Sequence, residues 1–213
     1  MSTLRSSTLP AALILGGSLT LSGCFGSAPI APASSDAPVG QSFGSLLPGP
    51  PSGEVIGAGM VLSHGDDAEL CLGPVAESYP PQCTGVPLVD WSWEGLEGAE
   101  GEGDVRFGTY AVTGRYDGAT FTVTQEPIML ALYDPIAWEH PFGDEPGTAT
   151  DDELAALSDD IFTRGVEGVL QGWPENGRLI VDVVWDDGTL QRAADDDFGD
   201  GAVVVRSTLR EIG

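Results

Sequence analysis

Short apolar runs, separated by turns rich in glycine, proline and acidic residues, fill the chain from residue 54 to residue 133. At 89–94, Val, Trp and Trp alternate with Asp, Ser and Glu, which is the period of a half-buried strand. An Asp-Gly pair within residues 114–118 predicts a hairpin turn there. Residues 54–133 are therefore predicted to form a β-rich domain of five or six short strands, the number typical of an OB-like barrel. The predicted strands are 55–62, 68–72, 89–93, 105–113, 119–125 and 128–133.

The pattern changes in the middle of the chain. Residues 134–149 are rich in proline and glycine and are predicted to be a long loop. Thr150 and Glu153 then form a capping box, and leucine and isoleucine follow at helical spacing. A helix is therefore predicted over residues 150–162.

The last part of the chain alternates between strand and helix patterns. Asn176-Gly177 predicts a tight turn between two strands, and the second strand is apolar almost throughout, as in the centre of a sheet. Residues 150–213 are predicted to form an α-β-β-α-β unit, so the fold class is α+β. The remaining predicted elements are strands at 166–173, 178–185 and 202–208 and a helix at 189–197.

The start of the chain has the pattern of a bacterial export signal. Arg5 precedes an uncharged apolar run at 9–21, which is shorter than the ~20 residues that a transmembrane helix needs. The run ends in Leu-Ser-Gly-Cys, which resembles the bacterial lipobox, so residues 1–23 are predicted to be a lipoprotein signal peptide. The alternatives are an ordinary signal peptide followed by a chance cysteine, or a short hydrophobic core helix. The lipobox predicts that Cys24 carries a diacylglycerol and anchors the protein on the extracellular face of the plasma membrane.

A segment poor in large apolar residues follows the lipidation site. Residues 24–53 consist mainly of serine, alanine, proline and glycine. Such a composition buries too little apolar surface to offset the entropy of folding. The lipidated Cys24 is therefore expected to begin a disordered, flexible tether.

The charge of the chain excludes one class of partner. The sequence has 33 acidic residues against 8 basic ones, a formal net charge of −25. All eight basic residues are arginine. A chain this acidic repels nucleic acids and anionic lipid headgroups. Nucleic-acid binding is therefore not expected, and the lipid has to hold the protein to the membrane without help from a basic patch.

Three cysteines are present, and with Cys24 assigned to lipid, Cys71 and Cys83 remain. In an exported protein such a pair is typical of a disulfide bond. A metal or redox pair is the alternative, although the spacing is not Cys-x-x-Cys and no histidine lies between them.

Candidate chemistry is sparse. Ser63 and His64 are adjacent, so on a strand their side chains point to opposite faces and do not form a catalytic pair. Acidic clusters suggest calcium, for which the best candidates are Asp195, Asp197 and Asp200, but this stretch lacks the EF-hand pattern. We assign no catalytic residue and no cofactor, with calcium the one alternative.

The five tryptophans are a further candidate class. Trp91, Trp93 and Trp185 lie in strand patterns and are expected to pack in the core. Trp138 lies in the central loop, where an exposed aromatic side chain would indicate a carbohydrate or peptide groove. Trp173 ends a predicted strand and is a further candidate for lining such a groove.

Two stretches of the first half carry a resemblance. Residues 71–83 read CLGPVAESYPPQC, and residues 108–114 read GTYAVTG and continue to a DG pair and FTV. Together they resemble a group of uncharacterised actinobacterial lipoproteins and secreted proteins. The resemblance implies an organism class and supports the pairing of Cys71 with Cys83, and it supplies no activity.

Three functional hypotheses follow. The leading one is a lipid-anchored, non-catalytic binding or structural module of the cell envelope, whose partner is a protein, peptide or envelope polymer. The second is a calcium-dependent extracellular binding module. The third is a hydrolase that uses scattered carboxylates, as glycosidases do.

Overall fold

The computed structural model describes residues 42–212 of the 213-residue chain. The predicted signal peptide (1–23), Cys24 and residues 25–41 of the predicted linker lie outside the described residues. Within 42–212 the chain forms ten strands, two α-helices and one 3-10 helix. In chain order these are β1 (Val55–His64), β2 (Asp67–Cys71), β3 (Val86–Val89), β4 (Val105–Tyr116), β5 (Phe121–Val123), β6 (Ile128–Met129), the 3-10 helix (Leu130–Leu132), α1 (Asp151–Arg164), β7 (Val169–Glu175), β8 (Arg178–Val183), α2 (Thr189–Phe198), β9 (Val203–Ser207) and β10 (Arg210–Glu211).

A five-stranded barrel forms around β1. This strand pairs antiparallel with β4 over its whole length, from Val55 opposite Gly114 to His64 opposite Val105. On its other side, residues 60–64 pair with β2. β2 pairs with β3, β3 runs parallel to β5, and β5 pairs with β4, which closes the ring. The structure thereby confirms an α+β fold with a β-rich first half.

The interior of the barrel is almost entirely apolar. Leu70, Val112 and Phe121 are fully buried there. Tyr110 is buried as well, and its hydroxyl donates a hydrogen bond to the carbonyl oxygen of Glu97 at 2.7 Å. The hydroxyl of Tyr110 is therefore paired although it is buried.

The predicted strand at 89–93 is wrong in its position. β3 ends at Val89, because Asp90 adopts a left-handed backbone conformation with φ 61° and turns the chain away from the sheet. Trp91 and Trp93 then both pack edge-on against Tyr110, with ring centroids 5.6 and 6.0 Å from it. The two tryptophans therefore pack on the core, as predicted. They do so from an irregular segment and not from a strand.

The turn between β4 and β5 begins later than predicted. β4 continues through Gly114, where a Cβ atom would lie 2.1 Å from the carbonyl oxygen of Thr122. Only glycine permits this close pairing of the two strands. The turn itself is built by Asp117, whose carboxylate accepts hydrogen bonds from the backbone N–H groups of Ala119 and Thr120 at 2.9 and 2.7 Å.

The predicted strand at 128–133 is shorter than expected. Only Ile128–Met129 pairs with β4, and Leu130–Leu132 then forms a single 3-10 turn. Leu132 is 75% exposed, so this turn does not belong to the barrel core. It leads the chain from the barrel into the loop at 134–149.

Helix α1 begins where the capping box predicts. The backbone N–H of Glu153 donates to Thr150 Oγ1 at 3.4 Å, and the Glu153 carboxylate accepts from the Thr150 N–H at 2.8 Å. Both bonds satisfy backbone donors that the first helical turn leaves free. The helix ends at Arg164, and Gly165 in a left-handed conformation follows it.

A three-stranded sheet in the order β7-β8-β9 forms the rest of the second half. Asn176 and Gly177, with φ 47° and 73°, make the tight turn that joins β7 to β8. β8 and β9 are parallel and are connected through α2. Every residue of β8 is buried, which confirms that it is the central strand. Both helices pack on one face of this sheet through a cluster that includes Leu154, Ile161 and Leu190.

The end of the chain joins the second half to the barrel. Ile56 of β1 pairs with Arg210 of β10. The preceding residue, Leu209, is fully buried in the barrel core, and Val184, just after β8, is buried in the same cluster. The two predicted domains therefore share one hydrophobic cluster.

A segment before β1, residues 42–53, lies against the second half, and we refer to it as the N-terminal strap. Phe43 is buried in the core beneath α1 and α2. Asp197 accepts hydrogen bonds from the Ser42 hydroxyl and the Phe43 N–H, each at 3.0 Å. The indole of Trp185 donates to the carbonyl oxygen of Gly49 at 2.9 Å. The last twelve residues of the predicted linker at 24–53 thus lie against the fold, held by the Phe43 side chain and by these hydrogen bonds.

Candidate functional site

The face of the three-stranded sheet that is turned away from the helices carries charged residues. Along β8, Leu179, Val181 and Val183 contact the helices, so Asp182 points to the opposite face. Asp182 is only 1% exposed. A carboxylate buried to this degree is stable only when it is paired and hydrogen-bonded.

Arg206 on the neighbouring strand supplies that pairing. Its Nε and Nη2 atoms donate to the two carboxylate oxygens of Asp182 at 2.5 and 2.8 Å. From β7, the side-chain amide of Gln171 donates to the same carboxylate at 2.9 Å. Three adjacent strands thus hold one polar cluster, Gln171-Asp182-Arg206, in which the carboxylate raises the already high pKa of the Arg206 guanidinium.

The loop at 134–149 covers part of this face by stacking aromatic rings on arginines. Arg206 lies 5.3 Å from the ring centre of Trp138 and 4.7 Å from that of Trp173. Arg178, which is 7% exposed, lies 3.7 Å from the ring centre of Phe142 and donates to the carbonyl oxygen of Gly201 at 2.6 Å. These cation–π contacts fix the loop on the sheet without any regular secondary structure.

Between this face and the barrel lies a cleft of about 480 Å³, which we call the interface cleft. Its barrel wall includes Ile56, Ala58 and Leu72. A cleft of this size is in the range of small-molecule sites, which combine apolar walls with a few polar groups. The side of the cleft formed by the sheet, β10 and the loop includes Tyr133, Trp138, Gln171, Arg206, Thr208 and Arg210.

Arg210 is the second cation of the cleft. Within residues 42–212 it forms no salt bridge and no side-chain hydrogen bond, although the chain is rich in carboxylates. Burial lowers the pKa of its guanidinium, and the nearby Arg206 lowers it further, while Asp182 opposes both effects. The residues that line the cleft include two guanidinium groups and one carboxylate, so the lining has an excess of one positive charge in a chain with a net charge of −25, and Glu175 acts on Arg206 from outside the lining.

Of the residues singled out from the sequence, the two cysteines are brought together. Cys71 and Cys83 form a disulfide bond, with their Cα atoms 6.0 Å apart. The bond closes the loop between β2 and β3. Cys24, the predicted lipidation site, lies outside the described part of the chain.

Ser63 and His64 are kept apart, as strand geometry requires. Ser63 is buried, and its hydroxyl accepts from the Trp93 indole at 2.9 Å and donates to the backbone oxygen of Arg106 at 3.4 Å. The side chain of His64 is exposed on the other face. The serine hydroxyl is therefore committed to structural hydrogen bonds.

The three calcium candidates do not converge. Asp195 accepts from the Gln191 amide and the Gly201 N–H, and so it helps to end α2. Asp197 is bound to Arg164 and to the N-terminal strap, and Arg164 holds its pKa below the usual range. Asp200 is exposed beyond the helix. In residues 42–212 no three His, Cys, Asp or Glu side chains are grouped in a way that could hold a metal ion.

A second cavity of about 450 Å³ lies between the barrel and β7. Its lining is mainly apolar and includes Leu70, Val86 and Leu170. Within residues 42–212, Glu167 is the only charged residue that lines it. It offers little to orient a ligand, because specificity in such sites depends on a few well-placed polar groups. The interface cleft is therefore the stronger candidate.

Trp138 was singled out from the sequence, whereas Gln171, Arg206 and Arg210 were not. Their sequence signal is weak, because an arginine within or beside a β-branched run resembles any solvent-exposed strand position. The one sequence feature that distinguishes these arginines is the scarcity of basic residues in the chain. In a chain with eight arginines, two that lie four residues apart near the final strands are a distinctive pair.

Comparison with protein-family models, with curated proteins and with solved structures finds no match to this chain. Neither of the helices in residues 42–212 is long and apolar enough to cross a membrane.

Proposed function

We propose that this protein is an exported, lipid-anchored binding module of the cell envelope, that it is not an enzyme, and that it binds its ligand in the interface cleft. The observation that carries the binding role is the juxtaposition of Arg210, Trp138 and Gln171 in a cleft of ligand size. The anchoring role depends on the lipobox pattern before Cys24.

Two features support export to the outer face of the plasma membrane. Bacterial disulfides persist mainly outside the cytoplasm, and the Cys71–Cys83 bond is present in the fold. The segment before Cys24 has the charge, length and small residues of a lipoprotein signal. Lipid chains supply about 0.8 kcal/mol per buried methylene, so diacylation anchors the protein without a basic patch.

The strand order of the barrel favours an OB-type fold. Its strand order, with β1 paired to both β2 and β4 and with β3 parallel to β5, is the arrangement expected of such barrels. OB barrels bind oligonucleotides and oligosaccharides through strands 2 and 3 and the adjoining loops. A net charge of −25 argues against nucleic acid as the ligand. Because the β1–β2 turn contains only Gly65 and Asp66, we place the site in the interface cleft and not at the usual loops.

Membrane fractionation tests the anchor. We expect Cys24→Ala to release the protein into the medium or to leave the signal peptide attached, because the lipid cannot be added. Ser27→Ala, three residues further along, is the matched control and should remain membrane-bound. If Cys24→Ala is processed and still resists carbonate and salt washes, the anchor assignment is wrong.

A binding screen tests the cleft. The mature chain with Cys24→Ser is titrated with envelope-type oligosaccharides and short peptides, and indole fluorescence is recorded. We expect Trp138→Ala to weaken binding, whereas Tyr79→Ala, which removes a 72% exposed aromatic residue outside the cleft, should not. Binding that is lost in Tyr79→Ala but kept in Trp138→Ala would contradict the proposed site.

A further inference from the structure

We infer that the interface cleft selects a saccharide residue that carries one anionic group, with Arg210 binding the anion. This inference rests on the proposed binding function and narrows it to a chemical class: an acidic sugar, in which the anion is a carboxylate or a phosphate.

Arg210 is free to bind an anion, whereas Arg206 is not. The guanidinium of Arg206 is held by both oxygens of Asp182 and stacks near Trp138 and Trp173. The backbone of Arg210 is held by the pairing of β10 with β1, and within residues 42–212 its guanidinium forms no hydrogen bond. A partly desolvated arginine binds an anion more strongly than an exposed one, because water screens the pair less.

The neutral groups of the cleft match a sugar ring. The amide nitrogen of Gln171 is fixed by Asp182, which orients the amide, and its oxygen forms no hydrogen bond within residues 42–212. That oxygen can accept a bond from a ligand hydroxyl. Tyr133 and Trp138 add aromatic surface beside it. A cation, a hydroxyl acceptor and aromatic walls in one cleft are the groups that an acidic sugar requires.

The charge balance limits how many anionic groups the ligand presents. The cleft has an excess of one positive charge, and the rest of a chain with net charge −25 repels further anions. The positive charge of Arg206 repels that of Arg210, and one bound anion relieves this repulsion. A single carboxylate or phosphate on the bound residue therefore fits better than a dense polyanion.

The test compares a sugar that carries one carboxylate with its neutral ester. The mature chain with Cys24→Ser is titrated by calorimetry with the methyl glycoside of galacturonate, with its methyl ester, with a hexose phosphate, with inorganic phosphate and with an acetylated tripeptide. We expect at least one of the two sugar anions to bind at least about tenfold more tightly than the neutral ester, the effect of one charge-assisted hydrogen bond. Preference between the galacturonate glycoside and the hexose phosphate identifies the anion.

Variants locate the effect. Arg210→Ala should remove the preference for the anion, and Arg210→Lys should retain part of it, because lysine keeps the charge but not the planar pair of donors. Arg106→Gln removes one exposed arginine of the barrel and is the control for net charge; it should bind as the wild type does. Circular dichroism and melting temperature confirm that each variant is folded.

The remaining outcomes overturn the inference in distinguishable ways. If the neutral ester binds as tightly as the galacturonate glycoside and Trp138→Ala abolishes both, the cleft is a binding site but the anion is not recognised. Preferential binding of the tripeptide or of inorganic phosphate alone excludes a sugar. If no probe binds at millimolar concentration, both the inference and the proposed cleft are wrong.

Discussion

The barrel and the α+β unit bury different kinds of groups. The barrel interior is almost entirely apolar, and its strands are held together by pairings between distant parts of the chain. The α+β unit buries two charged side chains, Arg178 and Asp182, on the sheet face that is turned away from its helices. Charges are costly to bury, and here Asp182 is held by Arg206 and Arg178 donates to the carbonyl oxygen of Gly201. The barrel supplies an apolar wall of the interface cleft, and the α+β unit supplies its polar groups.

The largest effect should come from the buried charge. We expect Asp182→Ala to lower the free energy of unfolding by about 4 kcal/mol, because removing one partner of a buried pair leaves the other uncompensated. Urea unfolding monitored by circular dichroism measures the loss. Asp200→Ala, at an exposed position, is the control and should change stability by less than about 0.5 kcal/mol. Equal effects of the two substitutions would show that the cluster around Asp182 contributes nothing.

The apolar contact that joins the two regions should have the next largest effect. Leu209 follows β9 but is buried in the barrel core, so Leu209→Ala should cost about 3 kcal/mol through lost burial and the cavity that remains. Thermal and urea unfolding measure it, and Leu132→Ala, which shortens an exposed leucine, is the control. A loss below about 1 kcal/mol would mean that the two regions do not depend on this contact.

Local signals account for most of the α+β unit, and they fail where a residue depends on distant partners. The capping box at Thr150, the Asn176-Gly177 turn and the apolar run of β8 each act within a few residues, so the sequence predicts them. Asp90 ends β3 early although its neighbours alternate perfectly. Arg210 becomes part of the site only because β10 pairs with β1, a contact between residues more than 150 positions apart.

The capping box offers a smaller test of these local signals. Thr150→Ala should lower the free energy of unfolding by about 1 kcal/mol, because one N–H group of α1 loses its side-chain acceptor. Thr148→Ala, two residues earlier and exposed, is the matched control. If both variants unfold at the same urea concentration as the wild type, tertiary packing alone positions the helix.

The smallest effect concerns the N-terminal strap and depends on pH. Hydrogen bonds from Arg164 and from the Phe43 N–H hold the pKa of Asp197 below its ordinary value of 3.8. A carboxyl with a lowered pKa stabilises the fold above the unfolded pKa, and this contribution disappears as the pH falls through the folded pKa. Asp197→Asn should therefore cost about 0.5–1 kcal/mol at pH 6 and progressively less below pH ~3.8. Urea unfolding at pH 6 and at a value below pH ~3.8 measures the difference. A loss of stability in Asp197→Asn that does not depend on pH would contradict the assigned interaction.

The central claim is that the interface cleft is a preformed site, because the barrel and the α+β unit behave as one body. Differential scanning calorimetry of the mature chain with Cys24→Ser tests it most directly. We expect a single transition in which the calorimetric and van't Hoff enthalpies agree, since Leu209, β10 and the N-terminal strap couple the two regions. Two separate transitions, with the α+β unit melting apart from the barrel, would contradict the claim.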